Sequence, residues 1–470
     1  MELMVLVFII GYIFIALEHR VRIDKAAIAL LTGGALWVLY ILISPLSVQT
    51  VFPDSFREFI SNQSSLSLLP LIEQCRGYIV DVHIIESLGE ISETLFFLMG
   101  AMTIVELVDV HGGFYIITDR ISTNNKRVLL ILIAFITFFM SAILDNLTTS
   151  IVMIMMVRKL VPNYKERWVY GSIIIIAANS GGAWSPIGDV TTIMLWIKGK
   201  ITTAPVITKL FIPSLISMLI PTILASRMLK GELPEGAKKA AGHISTILSE
   251  KERFILSAMG VLALVLVPVF KFVTQLPPFV GVLIGLSLLW IYTEIIYSRK
   301  KTSETLKHRV TRVLKRVDTA TILFFLGILL AVNALQGTGI LNTMGEFLEE
   351  RVHNIYLINI AIGFLSAIVD NVPLVAVAMG MYPLADASMI STAADPLFMQ
   401  TFVQDGSFWL FLAYCAGVGG SILIIGSAAG VVIMGIEKIS FGWYLKNFSI
   451  LALAGYLAGA GAFVLIDIYL

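Results

Sequence analysis

Two Asp-Asn pairs, Asp145-Asn146 and Asp370-Asn371, lie in the middle of long apolar runs. An ionisable side chain at membrane depth is costly and marks an ion or proton pathway by default. Around the first pair, Ser141, Thr148 and Thr149 gather hydroxyls beside a carboxylate and an amide; around the second stand Ser366 and Pro373. Oxygen ligands of this kind suit a hard cation. Helix-to-helix hydrogen bonding would account for the hydroxyls, but it leaves a carboxylate that appears twice unexplained.

A further constellation runs from Asn179 through Ser180-Gly181-Gly182-Ala183-Trp184-Ser185-Pro186-Ile187-Gly188 to Asp189-Val190-Thr191-Thr192. Its three glycines and a proline disfavour a continuous helix. Unwinding would free carbonyls for a cation, and a half-helix starting near Asp189 would offer a positive dipole end. A tolerated kink explains the Gly and Pro but not the Asn, Asp and two Thr beside them. The stretch from Ala416 to Gly430 reads as broken too, with only Ser421 and Ser427 as side-chain ligands. A carboxylate cut off from water favours its protonated form, and a metal cation displaces that proton on binding. Competition for one site then gives exchange.

These residues need a bilayer around them, and the composition supplies the case for one. The 470-residue chain is 57% hydrophobic and 14% charged, with a mean hydropathy of +0.90, too apolar for a soluble globule. Runs approaching the roughly 20 residues that cross about 30 Å of hydrocarbon lie near 2–17, 26–45, 91–108, 168–197, 208–227, 254–272, 278–297, 318–336, 407–436 and 445–466. They must be helical, because lipid offers backbone groups no partner. The first reads as a retained span, since it lacks a basic flank before it and a small-residue cleavage site after it. The stretch 46–90 reads as an external excursion.

Two apolar segments, 128–157 and 355–383, carry their polar pair at mid-length, leaving arms of about 12 residues, or roughly 18 Å of helix. Such arms reach half a bilayer, so both read as re-entrant hairpins, the first from the cytoplasm and the second from outside. With that assignment 26 of the 33 Lys and Arg share one face. The positive-inside rule makes that face cytoplasmic and puts both termini outside.

The sequence also repeats itself. Ser141 to Asn146 returns as Ser366 to Asn371 with one conservative change; Leu95 to Leu98 matches Leu323 to Leu326; Gly181-Gly182 and Ile187-Gly188 match Gly419-Gly420 and Ile425-Gly426 at one constant offset. Each half holds five crossings, an odd number, so the second is inserted upside down. The expected fold is an all-α polytopic membrane protein of two inverted repeats, 1–230 and 254–470, joined by a cytoplasmic linker at 231–253. Each repeat has one hairpin and one helix broken at the midplane.

Other chemistry is poorly served. Cys75 and Cys415 are far apart, with Cys75 read as a loop residue, and the six histidines lack i, i+4 pairing, so no disulfide framework, transition-metal site or cofactor is expected. No motif of an intramembrane protease appears. The basic run 298–318 reads as a topology-setting loop against anionic lipid, with no nucleic-acid partner.

The hairpin Ser-Ala-Ile-Leu-Asp145-Asn146-Leu-Thr-Thr, the long motif from Asn179 to Thr192, and Glu93-Thr-Leu-Phe-Phe-Leu-Met-Gly-Ala-Met-Thr-Ile-Val-Glu106-Leu resemble the NhaD-type sodium/proton antiporters of the ion transporter superfamily. The resemblance covers nearly the whole chain. It implies export of sodium or lithium in exchange for protons across a bacterial inner membrane, by an elevator motion in a homodimer. It also implies functional roles for Asp145, Asn146, Asn179, Asp189, Thr191, Thr192, Ser366, Asp370 and Asn371, with Ser421 and Ser427 beside them. Sodium or lithium is expected at Asp145, Asn146, Asn179, Asp189, Asp370 and Asn371, and Thr148 and Thr149 complete the expected set. The competing reading is an anion carrier of the same superfamily, for a dicarboxylate or arsenite, which carboxylates at both hairpin tips disfavour.

Overall fold

Polar residues at the heads of apolar runs set where the helices begin. The computed structural model describes residues 2–16, 21–63, 66–113, 123–233, 248–300, 310–368 and 371–469. In the first half the main helices are α1 (Glu2–Ala16), α2 (Lys25–Ile43), α3 (Ile84–Val110), α4 (Lys126–Leu144), α5 (Asn146–Leu160), α6 (Tyr164–Ala183), α7 (Val190–Ile197) and α8 (Thr203–Ser226). There follow α9 (Glu250–Val265), α10 (Val267–Thr274), α11 (Pro278–Arg299), α12 (Thr319–Gly337), α13 (Ile340–Val352), α14 (Ile355–Ser366), α15 (Asn371–Met381), α16 (Ser407–Gly419), α17 (Ala428–Glu437), α18 (Phe441–Asn447) and α19 (Ser449–Tyr469). Asp24, Asn125, Asn163 and Asp318 each accept a backbone N–H from the first turn of the helix they precede. Ser249 and Glu252 cap α9 reciprocally, so orphan donors at these helix starts are satisfied.

The chain is an all-helical membrane protein. Seven of the described helices are long and apolar enough to cross a bilayer, or up to nine if the bent pairs α9–α10 and α17–α18 each count as one span. No strand occurs among the described residues, only an isolated bridge between Asn125 and Glu232. The expected crossings 168–197 and 407–436 are each interrupted, as α6 then α7 and α16 then α17.

Three expectations change in detail. The crossing placed at 91–108 is the end of a 40-residue helical run, Leu71–Val110. Its start was hidden because Glu73, Arg76, Asp81, Glu86 and Glu90 dilute the hydropathy. Cys75, read as a loop residue, is buried in the helix Leu71–Tyr78. The arms of the first hairpin, α4 and α5, have 19 and 15 residues, about 28 and 22 Å. They take in the basic flanks Lys126, Arg127, Arg158 and Lys159, which hydropathy had trimmed away. In the second segment the helices α14 and α15 have 12 and 11 residues.

The structure divides into two units. The first comprises Met1–Phe96, Asp318–Asn354 and Val372–Ala387. Here α2 and α12 pack backbone on backbone: a Cβ on Gly33 would lie 2.6 Å from the Gly327 carbonyl oxygen. Small residues let membrane helices approach this closely. The Trp37 indole N–H donates to the Leu330 carbonyl at 3.0 Å, and His83 lies in a group of rings with Trp37, Tyr40 and Phe52. The second unit comprises Phe97–Val317, Ile355–Asn371 and Ser388–Leu470. It contains the α4–α5 hairpin, both broken helices, and α8 packed along α19.

Candidate ion-binding site

Everything that follows lies in the second unit. At the tip of the first hairpin Asp145 ends α4 and caps α5, its carboxylate accepting the Thr148 backbone N–H at 2.8 Å and the Thr148 hydroxyl at 2.9 Å. Its φ of 75° and ψ of 157° fall where glycine is at home, a conformation that costs about 1–3 kcal/mol for other residues. The cap and the surrounding packing hold it there.

Next to this tip runs the first broken helix. The Ser141 hydroxyl donates to the Ala178 carbonyl at 2.6 Å, and a Cβ on Gly181 would fall 2.2 Å from the Phe138 carbonyl oxygen. Gly188 is bare for the same reason, its Cβ position lying 2.8 Å from the Ser141 carbonyl oxygen. The helix resumes at Val190 behind the cap Asp189, whose backbone N–H donates to Thr192 Oγ1 at 3.3 Å while that hydroxyl donates to the Asp189 carbonyl at 2.8 Å.

The second broken helix repeats this construction. Ser366 donates to the Ala416 carbonyl at 2.7 Å. A Cβ on Gly419 would fall 2.3 Å from the Gly363 carbonyl oxygen, and one on Gly426 2.7 Å from the Ser366 carbonyl oxygen. Ser427 caps α17, accepting the Gly430 N–H at 3.2 Å.

The two breaks meet in one buried cluster. Asn146 Nδ2 donates to Asn179 Oδ1 at 3.1 Å and to Asp189 Oδ1 at 3.4 Å. Asn371 Nδ2 donates to Asp189 Oδ2 at 2.9 Å, and the Thr191 hydroxyl donates to the same oxygen at 3.0 Å. Asn179 Nδ2 donates to Ser421 and Ser427 Oγ, both at 2.9 Å. Asn146, Asn179, Asp189, Thr191, Asn371, Ser421 and Ser427 are all buried. Each hairpin asparagine thus sends an amide N–H to a different oxygen of one carboxylate. Rotating either amide about its Cβ–Cγ bond would present oxygen instead, so the same residues can serve an anion's needs or a cation's.

Seven of the expected residues are joined in this way. Asp145 and Thr148 bond to each other rather than to the cluster, Thr192 serves its own cap, and Ser366 anchors a backbone carbonyl. Thr149 Oγ1 is buried without a hydrogen-bond partner among the described residues. Asp370 lies outside the described residues. Among those described, no three His, Cys, Asp or Glu come together as a transition-metal site would need. His111 is occupied by the Leu107 carbonyl at 2.6 Å and the Tyr297 hydroxyl at 2.5 Å. One contributor escaped the sequence reading. Gly417, whose added Cβ would sit 3.3 Å from Asp189 Oδ2, has no polar atom to signal it. Extending the repeat's offset to Asn179 would have picked out Gly417.

Two clasps close the outer ends of the broken helices. Beyond α7, the Gly199 carbonyl accepts Gln404 Nε2 at 2.8 Å, Asp405 accepts the Thr202 hydroxyl at 2.7 Å, and Lys200 Nζ sits 4.2 Å from the centre of the Trp409 ring. Beyond α17, the Glu437 carbonyl accepts Trp168 Nε1 at 2.9 Å, and its buried carboxylate meets Arg167 at 2.7 Å and Arg158 at 3.4 Å.

A family described as citrate transporter matches residues 12–403. The Arabidopsis thaliana protein named sodium/proton antiporter 1 is 42% identical over 461 residues, covering 98% of this chain and 72% of the relative. Sodium/proton antiporter 2 of the same plant is 40% identical, covering 97% of each chain. The Vibrio cholerae protein named Na(+)/H(+) antiporter NhaD is 28% identical, covering 94% of this chain and 87% of its own length. The likeness to NhaD-type antiporters read from the motifs is borne out, and the chain belongs to the citrate transporter family of membrane transporters, alongside members named as sodium/proton antiporters.

Proposed function

We propose that the chain is a secondary transporter that exports sodium or lithium in exchange for protons. The observation that carries this is the buried Asp189 carboxylate, on whose two oxygens the hairpin asparagines Asn146 and Asn371 converge together with the Thr191 hydroxyl. Left in a low dielectric, such a charge needs a counterpart. A proton or a metal cation can supply it, and each excludes the other. With a cation bound, the Asn146, Asn179 and Asn371 amide oxygens and the Ser and Thr hydroxyls would complete an oxygen shell suited to a hard ion. Asp145, tied to its own helix cap, is a further acidic group at the tip of the first hairpin.

The description of the matched family names citrate, which favours a second reading as an anion carrier. A carboxylate at the centre would repel such a substrate. Cation-induced dequenching of a pH-sensitive dye in everted vesicles, scanned over sodium, lithium, potassium and citrate, separates the two. A proton movement driven by citrate and by no cation would replace the exchanger with the carrier.

The halves 1–230 and 254–470 would then be inverted repeats joined through 231–253, moving as an elevator in a homodimer surrounded by lipid. The matched contacts around Ser141 and Ser366 support that reading. A bacterial inner membrane with both termini outside suits the one-sided distribution of Lys and Arg. Impermeant labelling of single cysteines placed in 231–253 and 386–405 tests the orientation, and reaction of the first from outside the cell would overturn it.

A further inference from the structure

Where α6 carries Asn179, the matching position of α16 carries Gly417. Gly417 is buried in the last turn of α16, where alanine still has the better helical propensity, and it has no positive φ that would call for glycine. What distinguishes it is its neighbour. A Cβ there would lie 3.3 Å from Asp189 Oδ2 and 3.3 Å from the Ala183 Cβ. Oδ2 is the oxygen that accepts Asn371 and Thr191, so a methyl group would press on the carboxylate where its partners are most tightly arranged. We infer that Gly417 determines which alkali cation fits: the bare backbone keeps side-chain atoms away from Asp189 Oδ2, and a methyl group 3.3 Å from that oxygen narrows the site toward the smaller lithium ion. This rests on the exchanger reading above.

The experiment is proton exchange by the full chain in proteoliposomes, with apparent KM and kcat measured for sodium and lithium in the parental protein, Gly417→Ala and Gly435→Ala. Gly435 has open space at its Cβ position and serves as the control. In Gly417→Ala the sodium KM should rise about tenfold while the lithium KM and both kcat values stay within about twofold, an effect of the size one methyl group exerts on fit. If Gly417→Ala does not fold, Gly417→Ala with Ala183→Gly removes the Ala183 contact and keeps the one to the carboxylate. The same shift is expected of it. An unchanged sodium-to-lithium KM ratio, an equal rise for both ions, or a loss confined to kcat overturns the assignment. A parental protein that exchanges no cation for protons overturns the exchanger reading instead.

Discussion

At the first break α7 is capped by a carboxylate and at the second α17 is capped by a hydroxyl, yet the two caps share a backbone. Asp189 has φ −143° and ψ 149°, and Ser427 has φ −144° and ψ 153°. The glycines match as well: a Cβ on Gly182 would lie 2.6 Å from the Gly188 carbonyl oxygen, and one on Gly420 2.8 Å from that of Gly426. What differs is what points inward, Asn179 and Asp189 in one break against Gly417 and Ser427 in the other. Backbone contacts, which any sequence with glycine in the right places can make, build the frame twice. Of the two caps only one is charged, so the Asp189 carboxylate faces a site lined from both breaks.

The largest test of that comparison is to erase the difference. Asp189→Ser gives the first break the cap of the second, and sodium-dependent dequenching should fall by at least ~100-fold, since the carboxylate that both hairpin asparagines address is gone. Moving the charge across, as Asp189→Ser with Ser427→Asp, should restore a measurable part of the exchange, because Ser427 already faces Asn179 at 2.9 Å. No recovery would mean that the two breaks are alike in backbone only. Gly181→Ala and Gly419→Ala probe the shared frame. Each forces a methyl group into a carbonyl oxygen, and each should destabilise the protein by about 3 kcal/mol, read as loss of monodisperse protein on heating in detergent. A large loss from one and none from the other would break the equivalence.

Removing the anchoring hydroxyls is milder. Ser141→Ala and Ser366→Ala should each cost about 1 kcal/mol, in equal measure if their bonds to Ala178 and Ala416 do the same work. The smallest effect concerns pH. In the turn after α7, burial, with Lys198 nearby adding to it, pushes the Lys200 ammonium down to about 8 from 10.5. Its counterpart after α17, Lys438, is exposed. Between pH 8 and 10.5 the unfolded chain therefore holds more proton on Lys200 than the folded one, and stability rises with pH across that window. Lys200→Met should remove a rise in melting temperature on the order of 2 °C, whereas Lys438→Met should leave it in place.

Much of this site could be read in the sequence because its members are polar residues in apolar runs. Asn179, Asp189, Thr191, Ser421 and Ser427 announced themselves by type, and Asn371 by repetition. Gly417 could not be found that way, because its contribution is an absent side chain whose meaning depends on a carboxylate from another helix. Thr148 and Thr192, expected as ligands from their type, bond to their own helix caps in this structure. A hydroxyl one turn into a helix satisfies its own cap first. The start of the helical run Leu71–Val110 escaped because Glu73, Arg76, Asp81, Glu86 and Glu90 lower the averaged hydropathy of its first turns.

The bond from Asn179 to Ser427 joins residues 248 positions apart, and that to Ser421 spans 242. A ribosome will have threaded the first break into the bilayer long before the residues that satisfy it exist. Through most of synthesis Asn179 and Asp189 have Asn146 and Thr191 at hand but lack the partners from the second half, whose place water or the insertion machinery must take. Folding of this protein therefore cannot be finished helix by helix as the chain emerges. It must end with a late docking step, and truncations anywhere before Ser427 should leave nascent chains that are inserted yet remain targets for membrane quality control.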